Sequence, residues 1–280
     1  MCISLLKYLF RPKEKPTTDS GSTEPVVVDI ESIEQETGST EPVIVDVESI
    51  EQESGSTEII SQPIELPPMS KPYEGINFHV LLDNGHASST AGKRQLLENG
   101  EYFFEWEFNR DIVRRIALRL DSLGIPYEIL VPETEKDIAL TDRAARANSY
   151  CTKYGKDNCF FISVHSNAYG DGKTFTDAKG WSVWTTKGAT KSDTYATIMF
   201  EEAEKLLPKY KMTTRKDMKD GDPDYEENFT VIYKTWCPAV LTENMFFTNK
   251  EEVTWLMTEE GKNAIADIHV NGIKRIINEG

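Results

Sequence analysis

Two histidines follow apolar runs of the chain and are the residues best placed to do chemistry. His165 follows residues 160–164, and His86 follows the run 78–82 after a short polar turn that contains Gly85. Strands buried on both faces read as continuous apolar runs, and sites form beyond their carboxyl ends. The chain has only 4 histidines, so two in the same context predict one shared site.

Imidazole is a common zinc ligand, and a catalytic zinc site has three protein ligands and one open position. Two histidines and a carboxylate would complete such a site. The acidic candidates lie just before or at the start of the helix that follows His86, and they are Glu98, Glu101, Glu105 and Glu107. Residue types alone do not choose among them.

Strand and helix patterns alternate after residue 75, which predicts an α/β fold with helices on the faces of a sheet. Strands are predicted at residues 77–83, 127–131, 160–165, 180–185, 229–233 and 239–242. Helices are predicted at residues 112–123, ended by Gly124, at 142–154, at 192–207 and at the C-terminus. Residues 209–228 are polar and are predicted to form a long loop near the site.

A third polar group follows a predicted strand at Glu243, directly after residues 239–242. The other two histidines have simpler interpretations. His79 lies inside a predicted strand, and His269 lies beside the apolar face of the C-terminal helix. A structural role is therefore expected for both.

Residues 1–74 are predicted to be a disordered tail that precedes a single domain at residues 75–280. Residues 21–37 and 38–54 are near-identical copies, rich in Glu, Ser, Thr and Pro and without aromatic residues. Such segments bury too little apolar surface to offset the loss of chain entropy on folding. The tail also holds most of the excess acid in a chain of net charge −16.

Composition excludes several classes of function. An acidic chain has no electrostatic footprint for nucleic acid. The apolar start at residues 1–10 is too short to span a bilayer and lacks a signal-peptide cleavage site. The 4 cysteines have no CxxC spacing, which fits buried thiols better than a disulfide framework.

Five motifs, in chain order, resemble the zinc-dependent N-acetylmuramoyl-L-alanine amidases of the Amidase_3 type. They are Asp83-x-Gly85-His86, Glu105-x-x-x-Asn109, Leu140-x-x-Arg143-Ala144-x-x-Ala147-Asn148, the run Ile162-Ser163-Val164-His165-Ser166-Asn167-Ala168, and Pro238-Ala239-Val240-Leu241-Thr242-Glu243-Asn244-x-Phe246-x-x-Asn249. The resemblance extends from about residue 78 to the C-terminal helix. The tail lies outside it.

The resemblance implies that His86, Glu105 and His165 bind zinc and that Glu243 is the catalytic glutamate. It also implies a mixed, roughly six-stranded twisted sheet flanked by helices. The implied substrate is peptidoglycan, in which the amide between N-acetylmuramic acid and L-alanine is cleaved. The first motif departs from the family pattern at Asn84 and Ala87. These departures affect the expected shape of the substrate-facing loop.

Asp83 and Asn167 are expected either to orient the two histidines or only to cap strand ends. Two other functions remain open at this point. One is a wall-binding relative without activity. The chain contains all four expected site residues, which argues against this alternative; they are His86, Glu105, His165 and Glu243. The other is a cysteine peptidase that uses Cys237, a residue on a predicted strand where a thiolate gains no stabilisation.

The expected setting is that of an endolysin, which stays in the cytoplasm until it is released to the cell wall. The alternative is export to the periplasm or cell surface by an unrecognised signal. The chain is expected to act as a monomer, with no nucleic-acid partner and no integral membrane segment.

Overall fold

The computed structural model describes residues 71–170 and 174–279, which contain eight strands and six α-helices. The strands are β1 (His79–Asn84), β2 (Arg94–Leu96), β3 (Tyr102–Phe104), β4 (Tyr127–Ile129), β5 (Cys159–Asn167), β6 (Ser182–Thr185), β7 (Tyr225–Glu226) and β8 (Ala239–Phe246). The helices are α1 (Glu105–Leu123), α2 (Leu140–Tyr154), α3 (Lys191–Leu206), α4 (Thr230–Tyr233), α5 (Lys250–Leu256) and α6 (Glu259–Glu279).

Six strands form one mixed sheet in the order β4-β1-β5-β8-β6-β7, while β2 and β3 form a separate antiparallel hairpin. Strands β4, β1, β5 and β8 run parallel to one another. Strand β6 runs antiparallel to β8, and β7 runs parallel to β6. The predicted mixed α/β sheet is therefore confirmed. The carboxyl ends of four parallel strands meet at one edge, beside the amino end of β6.

Strands β1 and β5 lie inside the sheet, each between two other strands, and their side chains are apolar on both faces. Val80, Leu81, Phe160 and Phe161 are all 0% exposed. One face is covered by α1, α3, α5 and α6 in a first apolar cluster, and the other by α2 and α4 in a second. Both faces exclude water, which explains the continuous apolar runs in the sequence.

The predicted strand at residues 229–233 is wrong, because Thr230–Tyr233 form the short helix α4. Its neighbouring residues Val231 and Ile232 are both buried in the second apolar cluster. Successive residues of a strand point to opposite faces, so a strand would not bury both against one cluster. Packing against the rest of the protein overrides the strand preference of β-branched residues.

Strands β5 and β8 extend beyond their predicted ends, to Asn167 and Phe246. The pairing between them shifts register between His165 and Asn167. His165 and Glu243 therefore lie inside the strands, next to an irregularity, and not after them. Irregularities of this kind re-aim side chains and are common beside active sites.

The predicted tail lies outside the described residues apart from 71–74, so its disorder stays a prediction. The backbone N–H of Tyr73 donates to the carbonyl of Leu123 at 3.0 Å. The Tyr73 ring packs against the first apolar cluster. Within residues 71–170 and 174–279, no helix is both long and apolar enough to cross a bilayer.

Glu252 joins the start of α5 to the end of β8, which leads to a test. Its carboxylate is buried and accepts hydrogen bonds from the N–H groups of Phe246 and Gly180, both at 2.7 Å. Glutamine has one acceptor oxygen, so Glu252→Gln leaves a buried N–H without a partner. We expect the free energy of unfolding to fall by about 1–3 kcal/mol, as measured by urea denaturation. The exposed neighbour provides the control, since Glu251→Gln should change stability by less than about 0.5 kcal/mol; equal effects would contradict the assignment.

Candidate active site

Three elements bring His86, Glu105 and His165 together at the carboxyl edge of the sheet. His86 follows β1, Glu105 is the first residue of α1, and His165 lies in β5. Glu105 Oε2 is 3.3 Å from His86 Nε2, and Glu105 Oε1 is 3.1 Å from His165 Nδ1. In the described part of the chain, this His-Glu-His group is the one set of three or more metal-type residues whose ligand atoms all lie within 4.8 Å.

The turn between β1 and His86 explains why a glycine precedes this histidine. The His165 ring lies against Gly85, and a Cβ atom at this position would overlap the ring. His86 itself has a φ of 65°. This left-handed conformation costs a residue other than glycine about 1–2 kcal/mol. Such strain persists where the surroundings enforce it, commonly at functional sites.

Three side chains hold the backbone at the two histidines. Each donates a hydrogen bond to a carbonyl oxygen of a histidine or of Gly85. The contacts are Asn109 Nδ2 to Gly85 O at 3.2 Å, Arg110 Nη1 to His86 O at 2.9 Å, and Asn244 Nδ2 to His165 O at 2.8 Å. Asn109 and Arg110 lie one turn after Glu105 on α1. The helix that delivers the carboxylate therefore also holds the backbone of His86.

Burial and neighbouring charges set the protonation of the group. Burial alone would raise the pKa of Glu105, but the charge of His86 and the hydrogen bonds of both histidines hold this pKa well below its usual range. The Nζ of Lys93, 3.8 Å from Oε2, acts in the same direction. Burial lowers the pKa of His165, although Glu105 opposes the change. A charged carboxylate and a neutral imidazole are the forms that bind metals.

The group fits a tetrahedral metal ion. Zinc bonds of about 2.0–2.2 Å separate two ligands of a tetrahedron by about 3.3–3.6 Å. The nitrogens of His165 and His86 lie at similar distances, 3.1 and 3.3 Å, each from a different oxygen of Glu105. Two buried atoms, His86 Nε2 and Glu105 Oε2, have no hydrogen-bond partner among the described residues. Buried polar atoms are rarely left without one, and a cation would satisfy both. Three protein ligands leave one tetrahedral position for water or substrate.

Glu243 is a second carboxyl group at this edge. It pairs with His165 between β8 and β5, is half-buried, and has an Oε2 atom without a hydrogen-bond partner in the described ranges. Burial and then the charge of Glu105 raise the pKa of Glu243 to about 8, while Lys93 and Arg215 oppose the rise. A carboxyl group whose pKa lies near neutral pH can accept and release protons.

Lys93 and Arg215 are charged neighbours of the site that sequence reasoning did not single out. Lys93 directly precedes β2, and Arg215 lies in the long loop predicted near the site. The Arg215 guanidinium lies 5.1 Å from the ring centroid of Phe246 and 5.2 Å from that of Tyr225. Neither cation belongs to a recognisable motif. The loop prediction was the one signal that pointed towards Arg215.

Asp83 and Asn167 have partners other than the two histidines. Asp83 accepts hydrogen bonds from Arg143 Nη1 at 2.8 Å and from Ser163 Oγ at 2.6 Å. The side-chain oxygen of Asn167 accepts from the N–H of Ala168 at 2.8 Å. Neither side chain bonds a ligand-type imidazole within the described residues. These contacts favour the alternative in which both residues stabilise strand ends.

The other acids and histidines considered above lie outside the group. The three other acids considered as metal ligands are exposed to solvent. They are Glu98, Glu101 and Glu107. His79 stacks on Tyr154 with ring centroids 3.5 Å apart. His269 is 0% exposed, and its Nε2 lies 3.0 Å from the hydroxyl of Thr242. Both histidines therefore have structural surroundings.

Cys237, the nucleophile of the cysteine peptidase alternative, is buried in the second apolar cluster beside Cys151 and Cys159. All three thiols are free. The contact with Cys151 and then burial raise the pKa of Cys237 far above the ordinary value for a thiol. The thiolate is the nucleophilic form, so these surroundings do not support a cysteine mechanism.

The fold and the site define a class of protein. An α/β sheet presents a His-Glu-His group and a separate carboxyl group at one edge, an arrangement typical of metal-dependent hydrolases. Residues 80–275 match the family model Amidase_3, N-acetylmuramoyl-L-alanine amidase. The chain therefore belongs to the Amidase_3 family of N-acetylmuramoyl-L-alanine amidases.

Individual relatives agree with this family. The endolysin of Bacillus phage SPP1 is 30% identical over 203 residues, which are 71% of this chain and 66% of the endolysin. The N-acetylmuramoyl-L-alanine amidase CwlM of Bacillus licheniformis is 32% identical over 199 residues, 71% of this chain and 68% of CwlM. The chain thus spans about two thirds of the length of these relatives.

Solved structures share the fold. The N-acetylmuramoyl-L-alanine amidase from Clostridium difficile 630 has a TM-score of 0.58 and is 25% identical to this chain. The match covers 72% of this chain and 98% of that one. The catalytic domain of CwlV from Bacillus (Paenibacillus) polymyxa, with a TM-score of 0.56 and 22% identity, has the same fold.

The contact between Gly85 and His165 gives a prediction about metal content. Gly85→Ala adds a Cβ that overlaps the His165 ring, so the ring must leave its present position beside Glu105. We expect metal affinity and activity to fall about 10-fold to 100-fold, the usual effect of disturbing the surroundings of a metal ligand. Elemental analysis of the purified protein and a metal titration measure this change.

Gly100→Ala is the matched control, because Gly100 has no atom within 4 Å of an added Cβ. This variant should keep its metal, although its φ of 86° makes alanine less favourable there. Unchanged metal affinity in Gly85→Ala would show that His165 is not held as described.

Proposed function

We propose that this chain is a zinc-dependent N-acetylmuramoyl-L-alanine amidase, which hydrolyses the amide between N-acetylmuramic acid and the first L-alanine of a peptidoglycan stem. The observation that carries the proposal is the position of Glu243 beside the His-Glu-His group, with a buried oxygen free of hydrogen bonds to the described residues. Family membership supports the choice of bond and substrate. The donor set of two imidazoles and one carboxylate supports zinc.

The chain supplies binding and proton transfer. His86, Glu105 and His165 hold the zinc ion, which when bound polarises the scissile carbonyl and makes water more acidic. Glu243 accepts a proton from the attacking water and passes it to the nitrogen of the departing L-alanine. Lys93 and Arg215 favour the charged carboxylate of Glu243. They thereby help it to act as the base in the first step.

Two glutamate-to-glutamine variants separate these roles. Glu243→Gln should retain zinc and bind wall fragments, yet lose about 100-fold or more in turnover, the scale of a general acid–base group. Glu105→Gln should lose zinc together with activity, because two histidines alone hold the ion poorly. Elemental analysis and single-turnover assays of released L-alanine amino groups distinguish the two results.

Folding and metal dependence are the controls for this pair. Circular dichroism should show the same secondary structure in both variants and the parent. A chelator should stop turnover of the parent, and added zinc should restore it. The roles are reversed if Glu243→Gln is the variant that loses zinc, and the proposal fails if turnover continues in excess chelator.

We also propose that the enzyme acts as an endolysin that stays in the cytoplasm until it is released to the wall. The similarity to the endolysin of Bacillus phage SPP1 supports this setting. Fractionation of the native cells before and after the membrane is opened tests it. The enzyme should be intracellular with its N-terminal sequence intact before opening, and a processed form in the medium or periplasm would favour export instead.

A further inference from the structure

A β-bulge follows Glu243 at the edge of the active site. Ser166 is the one residue of β5 between its paired neighbours, whereas β8 has two residues opposite it, Asn244 and Met245. Met245 is 0% exposed and has a φ of 66°, in the left-handed region that residues other than glycine rarely adopt. Such a conformation persists only where the surrounding contacts enforce it. The bulge therefore requires side chains that hold it.

The bulge makes contacts with the metal-binding group. The Ser166 N–H donates to Glu105 Oε1 at 3.2 Å. The Ser166 hydroxyl donates to the carbonyl oxygens of Asn244 and Met245, at 3.1 and 3.3 Å. Asn244 Nδ2 donates to His165 O at 2.8 Å. Bulges re-aim side chains beside active sites, so the conformation of this one sets the placement of His165 and of an N–H group bound to Glu105.

The indole of Trp181 fixes which way the Asn244 amide faces. Its Nε1–H donates to Asn244 Oδ1 at 2.7 Å, and both side chains are 0% exposed. An indole only donates hydrogen bonds, so the amide oxygen must face Trp181. The NH₂ group must then face the carbonyl of His165. A reversed amide would bring two donors together on one side and two acceptors on the other.

His269 enforces the same orientation through Thr242. Nδ1 of His269 lies 2.8 Å from the carbonyl oxygen of Ile265, which only accepts, so Nδ1 carries a proton. Burial lowers the pKa of His269 to about 4. The ring is therefore neutral, and its Nε2 accepts from the Thr242 hydroxyl at 3.0 Å. The hydroxyl oxygen accepts in turn from Asn244 Nδ2 at 3.2 Å. Helix α6 and the residue before β6 thus constrain the same amide independently.

We propose that Trp181 and Asn244 are positioning residues of the metal site. Asn244 holds the carbonyl of His165 at the bulge, and Trp181 keeps the Asn244 amide in the one orientation that can do so. Both side chains are 0% exposed, so they act on the reaction only through the groups that they hold. Their assignment rests on the proposed function, in which His165 and Glu105 bind the zinc ion. Removing the indole N–H would leave a buried amide oxygen without a donor, which favours rearrangement of the amide and of the bulge.

Trp181→Phe tests this role because it removes the indole N–H and keeps an aromatic ring. We expect the zinc affinity of the full-length protein to fall about 10-fold to 100-fold, the usual effect of losing a group that orients a metal ligand. Competition with a chelating dye measures the affinity. The visible absorption of the cobalt-loaded protein is a second readout, since it reports the geometry of the ligands. The cobalt spectrum of Trp181→Phe should differ from that of the parent.

Trp255→Phe is the matched control. Trp255 is also buried in the first apolar cluster, but its Nε1 has no hydrogen-bond partner in the part of the chain that the structure describes. Both substitutions remove the same atoms and leave a cavity, so both variants should unfold at lower urea concentrations than the parent. Zinc affinity and the cobalt spectrum should change only in Trp181→Phe. This comparison separates positioning of the metal site from a general loss of packing.

Ser166→Ala is a second variant with a smaller change in volume. It removes the hydroxyl that holds the bulge from the opposite strand and retains the N–H that donates to Glu105. We expect zinc affinity to fall about 10-fold, at the lower end of the same range. This variant decides the question if Trp181→Phe does not reproduce the circular dichroism spectrum of the parent.

Three results would contradict the role of Trp181 and Asn244. Unchanged zinc affinity and an unchanged cobalt spectrum in Trp181→Phe and Ser166→Ala would overturn it and leave the proposed function intact. An equal loss of affinity in Trp255→Phe would also overturn it, because packing alone would then explain the effect. A parent protein that binds neither zinc nor cobalt would contradict the proposed function itself, and with it the positioning role.

Discussion

A buried carboxylate governs the active-site edge of this protein. Glu105 is 1% exposed, and a charge removed from water needs close compensation. The Ser166 N–H donates to Oε1 at 3.2 Å, and the rings of His86 and His165 lie on either side. Lys93 reaches the carboxylate only at 3.8 Å. The need to balance this charge accounts for the close approach of the two histidines and for the fit to a cation.

The position of His86 also depends on a second buried interaction, the ion pair between Arg143 and Asp83. Arg143 of α2 is 1% exposed and donates to Asp83 Oδ1 and to Asn84 O, both at 2.8 Å. Removing one partner of such a buried pair typically costs about 3–5 kcal/mol. Helix α2 therefore fixes the end of β1, and α1 fixes the backbone that follows. Between these two anchors the left-handed conformation of His86 can persist.

The central elements could be predicted from sequence because they are covered on both faces. Strands β1, β5 and β8 read as apolar runs, and the residues that follow or end these runs include both histidines of the site. The choice of Glu105 among four acids did not follow from the residues alone and required the Glu-x-x-x-Asn spacing of the family resemblance. The structure gives the physical reason for this spacing. Asn109, one helical turn after Glu105, donates to the carbonyl of Gly85.

Features that depend on contacts between distant segments could not be predicted. The helix at Thr230–Tyr233 has strand-forming residues and is fixed by packing against the second apolar cluster. The role of Arg110 depends on the carbonyl of His86, a contact 24 residues away along the chain. The burial of Asp224 beside Thr185 could not be predicted either, because it requires β6 and the long loop to meet.

The sheet determines the position of Glu243, and segments outside the sheet alter its proton affinity. Strands β5 and β8 pair His165 with Glu243 and so fix the position of the group proposed to transfer protons. The proton affinity of Glu243 is instead tuned by Lys93 beside the hairpin and by Arg215 in the long loop. These two segments form no part of the central parallel strands. A change at Arg215 can therefore alter the pKa of Glu243 without touching the His-Glu-His group, whereas a change at Lys93 also affects Glu105, 3.8 Å away.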